Sequence, residues 1–367
     1  MKNILFLHSS SEMYGSDRSL LNIVTNLDKS RYGVFVMLPC EGPLVEALQK
    51  VPGVTVEIFD VAVLRRKNLS IKGGFAYLRE FIASYRFVKQ YIKMHNIHLV
   101  DTNTAVVFPG AMAAKAMKVK SVWHIREIIK SNLENRVISF MMQRYADLII
   151  ANSRATGEAL RVNRNKIRVV YNAVERKADT VRIPHSRPTV GMAGRINRWK
   201  GQKLFTDAAQ LVKQRIPDVQ FLIAGEAYEG EAYLRTDLEE YIRQKGLDDT
   251  VILLGQVNEM DNFYKRLDVF ALPSTQPEPF GLVVIEAMEY AIPVVATNHG
   301  GPTEIINHGE DGYLVSYESP EEMAQRIVQL LEDPQQAAQM GCRAQDKKRR
   351  LFDVAAMVRN IEGVFEE

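Results

Sequence analysis

Short apolar runs alternate with stretches of helical period along the whole 367-residue chain, and the alternation occurs in two successive series. In the first, residues 3–8, 33–38, 54–59, 98–102, 121–124, 148–151 and 167–171 read as strands. Residues 16–27, 43–50, 73–95 and 132–145 read as helices between them. In the second, strands are predicted at 190–193, 220–224, 251–254, 269–272, 293–296 and 313–315. Helices are predicted at 202–214, 231–245, 281–290, 303–307, 320–331, 335–350 and 353–365. Short strands each followed by a helix imply parallel β–α–β units with helices on both faces. The predicted fold is α/β: two Rossmann-like, doubly wound domains. In such sheets a ligand sits beyond the carboxyl ends of the strands.

The chain is too long for one ordinary core. Residues 175–188 are polar, charged and broken by Pro184 and Pro188, and read as the linker. The expected division is 1–183, 184–350 and a last segment 351–367. Apolar content of 46% and charged content of 25% describe a folded globular protein, and a net charge of +3 gives no nucleic-acid signature. Cys40 and Cys342 stand alone, so neither a disulfide framework nor a zinc site is expected, and a reducing cytoplasm is the natural compartment. The opening MKNILFLHSS holds too short an apolar run for a signal peptide, and no run approaches the roughly 20 apolar residues of a membrane span.

The most informative stretch is residues 276–290, QPEPFGLVVIEAMEY. Pro277 and Pro279 cannot continue a helix, so one should start near Phe280 or Gly281. Its first N–H groups lack intrahelical partners, and Gly281 lets a ligand approach the backbone closely. That is a phosphate seat. Glu278 precedes it, and Glu286 follows on the helix roughly 7 Å along the axis at about 1.5 Å per residue. A phosphate flanked by hydroxyls, as in a nucleoside-diphosphate sugar, would fit. A lone E-x7-E would favour a surface loop with two solvated glutamates; the Pro-Glu-Pro-Phe-Gly context and the partner residues below reverse that.

Other stretches point the same way. After the strand at 190–193, Gly194-Arg195-Ile196-Asn197-Arg198-Trp199-Lys200-Gly201 puts Arg195 and Lys200 at a carboxyl end, where they could meet a phosphate. No G-x-G-x-x-G follows either first strand, which disfavours a dinucleotide cofactor. Asn298-His299-Gly300-Gly301-Pro302-Thr303-Glu304 supplies another glycine turn after a strand. Near the N-terminus, Tyr14-Gly15-Ser16-Asp17 leads into the first helix, where Gly15 and Ser16 could face an anion. His124, at a strand's carboxyl end, is the best site candidate among seven histidines, although a structural histidine would look alike. No D-x-D and no His/Asp metal spacing occurs, so no obligatory metal is expected. Between Val61 and His98, eight basic residues (Arg65, Arg66, Lys67, Lys72, Arg79, Arg86, Lys89, Lys93) face one acid, Glu80, with aromatics interleaved. This reads first as a helix packing on the sheet, with attraction to an anionic membrane as an additional role.

Together these residues resemble the retaining glycosyltransferases of family 4, which have the GT-B fold: two Rossmann-like domains across a central cleft. Three patterns match in order: Gly194-Arg195-x4-Lys200-Gly201, Glu278-x7-Glu286, and Gly300-Gly301-x-x-Glu304. Asn152-Ser153 and Asn172-Ala173-Val174 also look like family turns, with Ala173 where glycine is usual, and Tyr14-Gly15 has one glycine where the family loop has two. The resemblance implies that Arg195 and Lys200, with Gly194, hold a diphosphate and that Glu286 bonds the ribose. Glu278 and the backbone of Phe280, Gly281 and Leu282 would hold the sugar and phosphate, and the Gly255-Gln256-Val257 loop the base. Gly15 and Ser16 would serve the acceptor or diphosphate, and His124 the far hydroxyls of the sugar. The last helix would cross back to the first domain. The implied activity is sugar transfer to a saccharide or lipid-linked saccharide, with no cofactor, in surface-polysaccharide synthesis in the cytoplasm or at the inner membrane face. A nucleotide-sugar epimerase on the same fold and a non-catalytic sugar-nucleotide binder are the rival readings.

Overall fold

The computed structural model describes every residue except 65–67, 69, 70 and 229, and the side chains of 71 and 72 are likewise not described. Arg65, Arg66 and Lys67 of the basic stretch therefore lie outside the described residues. The strands are β1 (Lys2–Leu7), β2 (Tyr32–Leu38), β3 (Val54–Ile58), β4 (Ile97–Thr102), β5 (Lys120–Ile125), β6 (Leu148–Ala151) and β7 (Ile167–Val169). They continue as β8 (Thr189–Ala193), β9 (Gln220–Ala224), β10 (Val251–Gly255), β11 (Val269–Leu272), β12 (Val294–Thr297) and β13 (Tyr313–Val315). The helices are α1 (Gly15–Asn26), α2 (Pro43–Gln49), α3 (Ile71–Met94), α4 (Pro109–Met117), α5 (Asn132–Tyr145), α6 (Arg154–Ala159) and α7 (Gln202–Arg215). They continue as α8 (Tyr233–Gln244), α9 (Met260–Tyr264), α10 (Leu282–Glu289), α11 (Pro302–Ile305), α12 (Pro320–Glu332), α13 (Pro334–Leu351) and α14 (Val354–Glu366).

The chain forms two units, Met1–Ala173 with Val354–Glu367, and Val174–Asp353. Unit 1 holds a parallel sheet in the order β3-β2-β1-β4-β5-β6-β7. Its strands alternate their burial between two helical layers. Ile4 and Phe6 of β1 face a core built with α1, α2 and α14, whereas Leu5 and Leu7 face one built with α3 and α4. The last helix seals the first of these layers: Phe365 meets the rings of Phe6 and Tyr32 edge-on at 6.2 and 6.3 Å.

Unit 2 holds a parallel sheet in the order β10-β9-β8-β11-β12-β13. The order reverses between β8 and β11, as it does between β1 and β4 in unit 1, and such a switch point opens a crevice at the carboxyl ends. In unit 2 the opening is visible in the register. β11 pairs with β8 only through Val269 with Val190 and Phe270 with Gly191, so the two strands part before their ends. Both strands are buried throughout, which is why each reads as an unbroken apolar run.

The passage between units falls at 173/174, ahead of the 183/184 read from the sequence. The intervening segment is bonded into unit 2 despite its polar composition. The Ile183 N–H donates to the Lys265 carbonyl at 2.9 Å, Arg182 pairs with Asp268, and the Lys177 N–H donates to Glu289 at 3.1 Å. At the far end Leu351 closes α13, and α14 starts at Val354.

Candidate functional site

The loop after β8 is shaped by glycines. Gly194 has φ of 155° and Gly201 φ of 78°. A Cβ on Gly201 would stand 1.8 Å from the Pro273 carbonyl oxygen, so α7 can start there only with glycine. Between them Asn197 accepts from the N–H groups of Trp199 and Lys200 at 3.0 and 2.8 Å, a side-chain turn that fixes where Lys200 emerges. The Thr275 N–H donates to the Trp199 carbonyl at 2.8 Å and ties this loop to the one after β11. The Arg195 guanidinium lies over the Tyr228 ring, 5.6 Å from its centroid, and the Arg195 carbonyl accepts from Gln202 at 2.9 Å.

The loop after β11 carries Glu278. Its carboxylate accepts from Lys200 Nζ at 2.7 Å and from the Ser274 hydroxyl at 2.8 Å, so the two ends of the proposed phosphate site are joined 78 positions apart in sequence. The pair is largely shielded from water. Its backbone lies against the glycine turn after β12: the Gly301 N–H donates to the Glu278 carbonyl at 2.7 Å. A Cβ on Gly300 would meet the Glu278 carbonyl oxygen at 2.3 Å, and one on Gly301 the Phe280 Cα and oxygen at 2.3 Å.

Gly281, with φ of 100°, is the N-cap of α10, and no side chain caps that helix start. Leu282 opens the helix and Phe280 is buried edge-on against Phe352 at 5.8 Å. One turn on, Glu286 accepts from the Tyr264 hydroxyl at 2.7 Å. Tyr264 is buried and stacked on Tyr290 with centroids 5.4 Å apart, so its hydroxyl is held in place. Arg195, Lys200, Glu278, Phe280, Gly281, Leu282 and Glu286 thus all stand at the carboxyl ends of β8 and β11 or on α10. Val257 stands apart, beyond β10, in a groove it lines with Leu222, Leu254 and Phe263.

In unit 1 the carboxyl ends of β1, β4 and β5 hold a buried polar group. His8 Nε2 lies 2.7 Å from Asp17 Oδ1, and Asp17 accepts the Tyr14 N–H at 2.8 Å, which pins the turn carrying Gly15 and Ser16. Arg126 donates to Asn103 at 3.0 Å and to Ser19 and Asn172 at 2.6 Å each. Its Nη2 has no hydrogen-bond partner among the described residues. His124 is buried, with Nδ1 3.9 Å from Asp101 Oδ2, too far for a hydrogen bond. Burial, with Arg126 and His8 nearby, holds the imidazole well below its ordinary pKa, so His124 is neutral at pH 7. Burial pushes Asp101 up to about 7, and Arg126 is lowered to about 10 by burial. Sequence reasoning found His124 and the turn but not Asp101, Arg126, Ser274 or Tyr264. None of these four belongs to a pattern that a single sequence displays.

Both halves of the chain resemble known proteins. Residues 174–347 match the family model for glycosyl transferases group 1, and residues 13–177 that for glycosyltransferase family 4. Among curated relatives, the lipopolysaccharide core biosynthesis mannosyltransferase LpsB of Rhizobium meliloti is 28% identical over 179 residues, 48% of this chain and 51% of that protein. The D-inositol 3-phosphate glycosyltransferase of Paenarthrobacter aurescens is 35% identical over 41% of this chain and 36% of that protein. The chain thus spans about half or less of the length of the curated relatives it matches. Among solved structures, Anabaena Alr3699/HepE in complex with UDP and glucose superposes with a TM-score of 0.85 at 27% identity, covering 100% of both chains. A glycosyltransferase from Rickettsia africae superposes at 0.84 with 20% identity, a likeness of fold.

Proposed function

The chain belongs to the group 1, family 4 glycosyltransferases with the GT-B fold, and on that premise we propose that it transfers a sugar from a nucleoside-diphosphate sugar to a saccharide or lipid-linked saccharide hydroxyl with retention. The observation that carries this reading is the Lys200–Glu278 pair beside the uncapped start of α10, at the β8/β11 switch point. Cations and helix-start N–H groups together stabilise a diphosphate where negative charge grows as it departs. The structural neighbour bound to UDP-glucose favours a uridine donor.

In the proposed reaction the bond between the anomeric carbon and the phosphate oxygen breaks, and its electron pair leaves with the diphosphate. The acceptor oxygen bonds the anomeric carbon on the same face, and its proton passes to the departing phosphate oxygen. Arg195 and Lys200 balance the leaving group without an obligatory metal. Glu278 holds Lys200 and favours the cationic sugar, Glu286 accepts from the ribose, and neutral His124 serves the sugar's hydroxyls. Gly194, Phe280, Gly281 and Leu282 give the backbone close approach, Val257 the base contact, and Gly15 and Ser16 an anion contact in unit 1. Synthesis of a surface polysaccharide at the inner membrane face is part of the same proposal; among the described residues no helix is long and apolar enough to cross a membrane.

Calorimetry with a panel of UDP-, GDP-, ADP- and dTDP-sugars tests the reading. One donor class should bind. Arg195→Ala and Lys200→Ala should each weaken it about tenfold or more, because a charge-assisted bond is worth about 1.5–3 kcal/mol. Unchanged affinity in both variants would refute the phosphate assignment. Glu286→Gln should raise the donor Kd, whereas Glu278→Gln should mainly lower turnover, since its charge matters most as the sugar becomes cationic. Turnover should survive EDTA; a complete loss restored by metal would overturn the metal-free mechanism.

A further inference from the structure

Two helices of unit 1 turn apolar stripes toward solvent. On α5, Leu133, Val137 and Phe140 follow at i, i+4 and i+7, opposite the buried Asn135, Ile138, Ser139 and Met142. Leu133 is 72% exposed and Phe140 66%. On α3, Phe75, Leu78 and Ile82 follow at i, i+3 and i+7, with Phe75 70% exposed. The two helices adjoin at one hydrophobic cluster, with Ile138 and Met142 of α5 in its core and Phe81 of α3 packed against it, while Val88, Tyr91 and Ile92 of α3 pack in the core shared with α4. The two stripes therefore stand over the same layer of the unit. Single exposed apolar residues are ordinary; two ordered stripes of three mark a surface that meets something apolar.

Charge says what that is. Exposed cations lie within the stripes, Arg136 on α5 and Arg79 on α3, and past their ends, Arg144 on α5 and Arg86 and Lys93 on α3, against the exposed Glu80 on α3 and the half-exposed Glu134 on α5. A second copy using the same patch would bring like charges together. An anionic bilayer offers both acyl chains for the stripes and phosphates for the cations. We propose that the outer faces of α3 and α5 form a membrane-docking surface, with Phe75, Leu133 and Phe140 entering the boundary between headgroups and acyl chains. The sequence pointed to charge with interleaved aromatics around α3; the stripe on α5 is evident only once the buried side of that helix is known. This gives a surface to the membrane-face location proposed above, and its test, run without donor or acceptor, can fail while the transferase reading stands.

Co-sedimentation of the full chain with vesicles tests it, with no donor or acceptor present. Binding should require phosphatidylglycerol in a phosphatidylcholine vesicle and fall with salt. Phe75→Glu and Phe140→Glu should each reduce the partition coefficient about tenfold or more, as loss of a buried aromatic implies. Leu351→Glu, at an exposed apolar position of unit 2, should leave it unchanged. Unaltered far-UV circular dichroism and thermal unfolding midpoints show that the variants are folded. No binding to phosphatidylglycerol vesicles at low salt, or equal binding by both aromatic variants, would overturn the proposal. So would light scattering that shows a dimer split by Phe140→Glu in a protein that ignores vesicles.

Discussion

Neither carboxylate oxygen of Asp101 has a hydrogen-bond partner among the described residues, and burial raises its pKa to about 7 from 3.8. Between those values the unfolded chain has lost the proton that the folded chain keeps. Stability due to this group is therefore present at low pH and declines as pH rises toward 7, by about 1.4 kcal/mol per pH unit for one proton. His124 acts in the other sense, because its folded pKa is lowered: the protein loses stability as pH falls below 6.5. Asp101→Asn isolates the first effect. Denaturant titrations should show the difference between variant and parent growing in the variant's favour from pH 4 to 7; a constant difference would exclude the buried-proton account. Nothing in a strand that reads IHLVDT distinguishes such an aspartate from a solvated one. His124 was legible because it ends a strand in the ligand-facing direction. The Lys200–Glu278 contact was legible only as two halves of a family pattern, and Tyr264 not at all, since nothing in FYKRLD marks a hydroxyl aimed at Glu286.

Strands β8, β9 and β11 were legible to within a residue or so, because strands covered on both faces show as apolar runs. Three helices were not. The small residues of α4 are buried on most sides and give no polar stripe, and α6 and α9 are too short to display a period. The glycine turns were legible as turns but not as contacts. Gly301→Ala would press a methyl group on the Phe280 backbone, which cannot yield as a flexible side chain would. It should cost about 1–3 kcal/mol and weaken donor binding by displacing the start of α10. Gly363→Ala, inside α14 with nothing near its added Cβ, should stabilise by up to about 1 kcal/mol. Thermal unfolding of both variants checks the pair; equal effects would mean that the close approach at Gly301 is relaxed in solution.

Unit 2 is inserted, in sequence, between two parts of unit 1. The alternation of strands and helices announced two sheets, but no periodicity says to which of them a last helix returns; that expectation came from the family resemblance. The return has an energetic signature. Phe365→Ala should cost about 3–5 kcal/mol, all of it in unit 1. Hydrogen exchange should show protection lost in β1, β2 and α1 and retained in β8 to β12. Uniform loss would mean that the units unfold as one. The same connectivity sets an order of events on the ribosome. Residues 1–173 emerge first, yet the face of β1 that bears Ile4 and Phe6 waits for α14, which follows only after all of Val174–Asp353 has been made. The half of the chain translated first is thus the half that finishes folding last, and in the interval the part of its apolar layer that α1 and α2 leave uncovered is the surface a chaperone would hold.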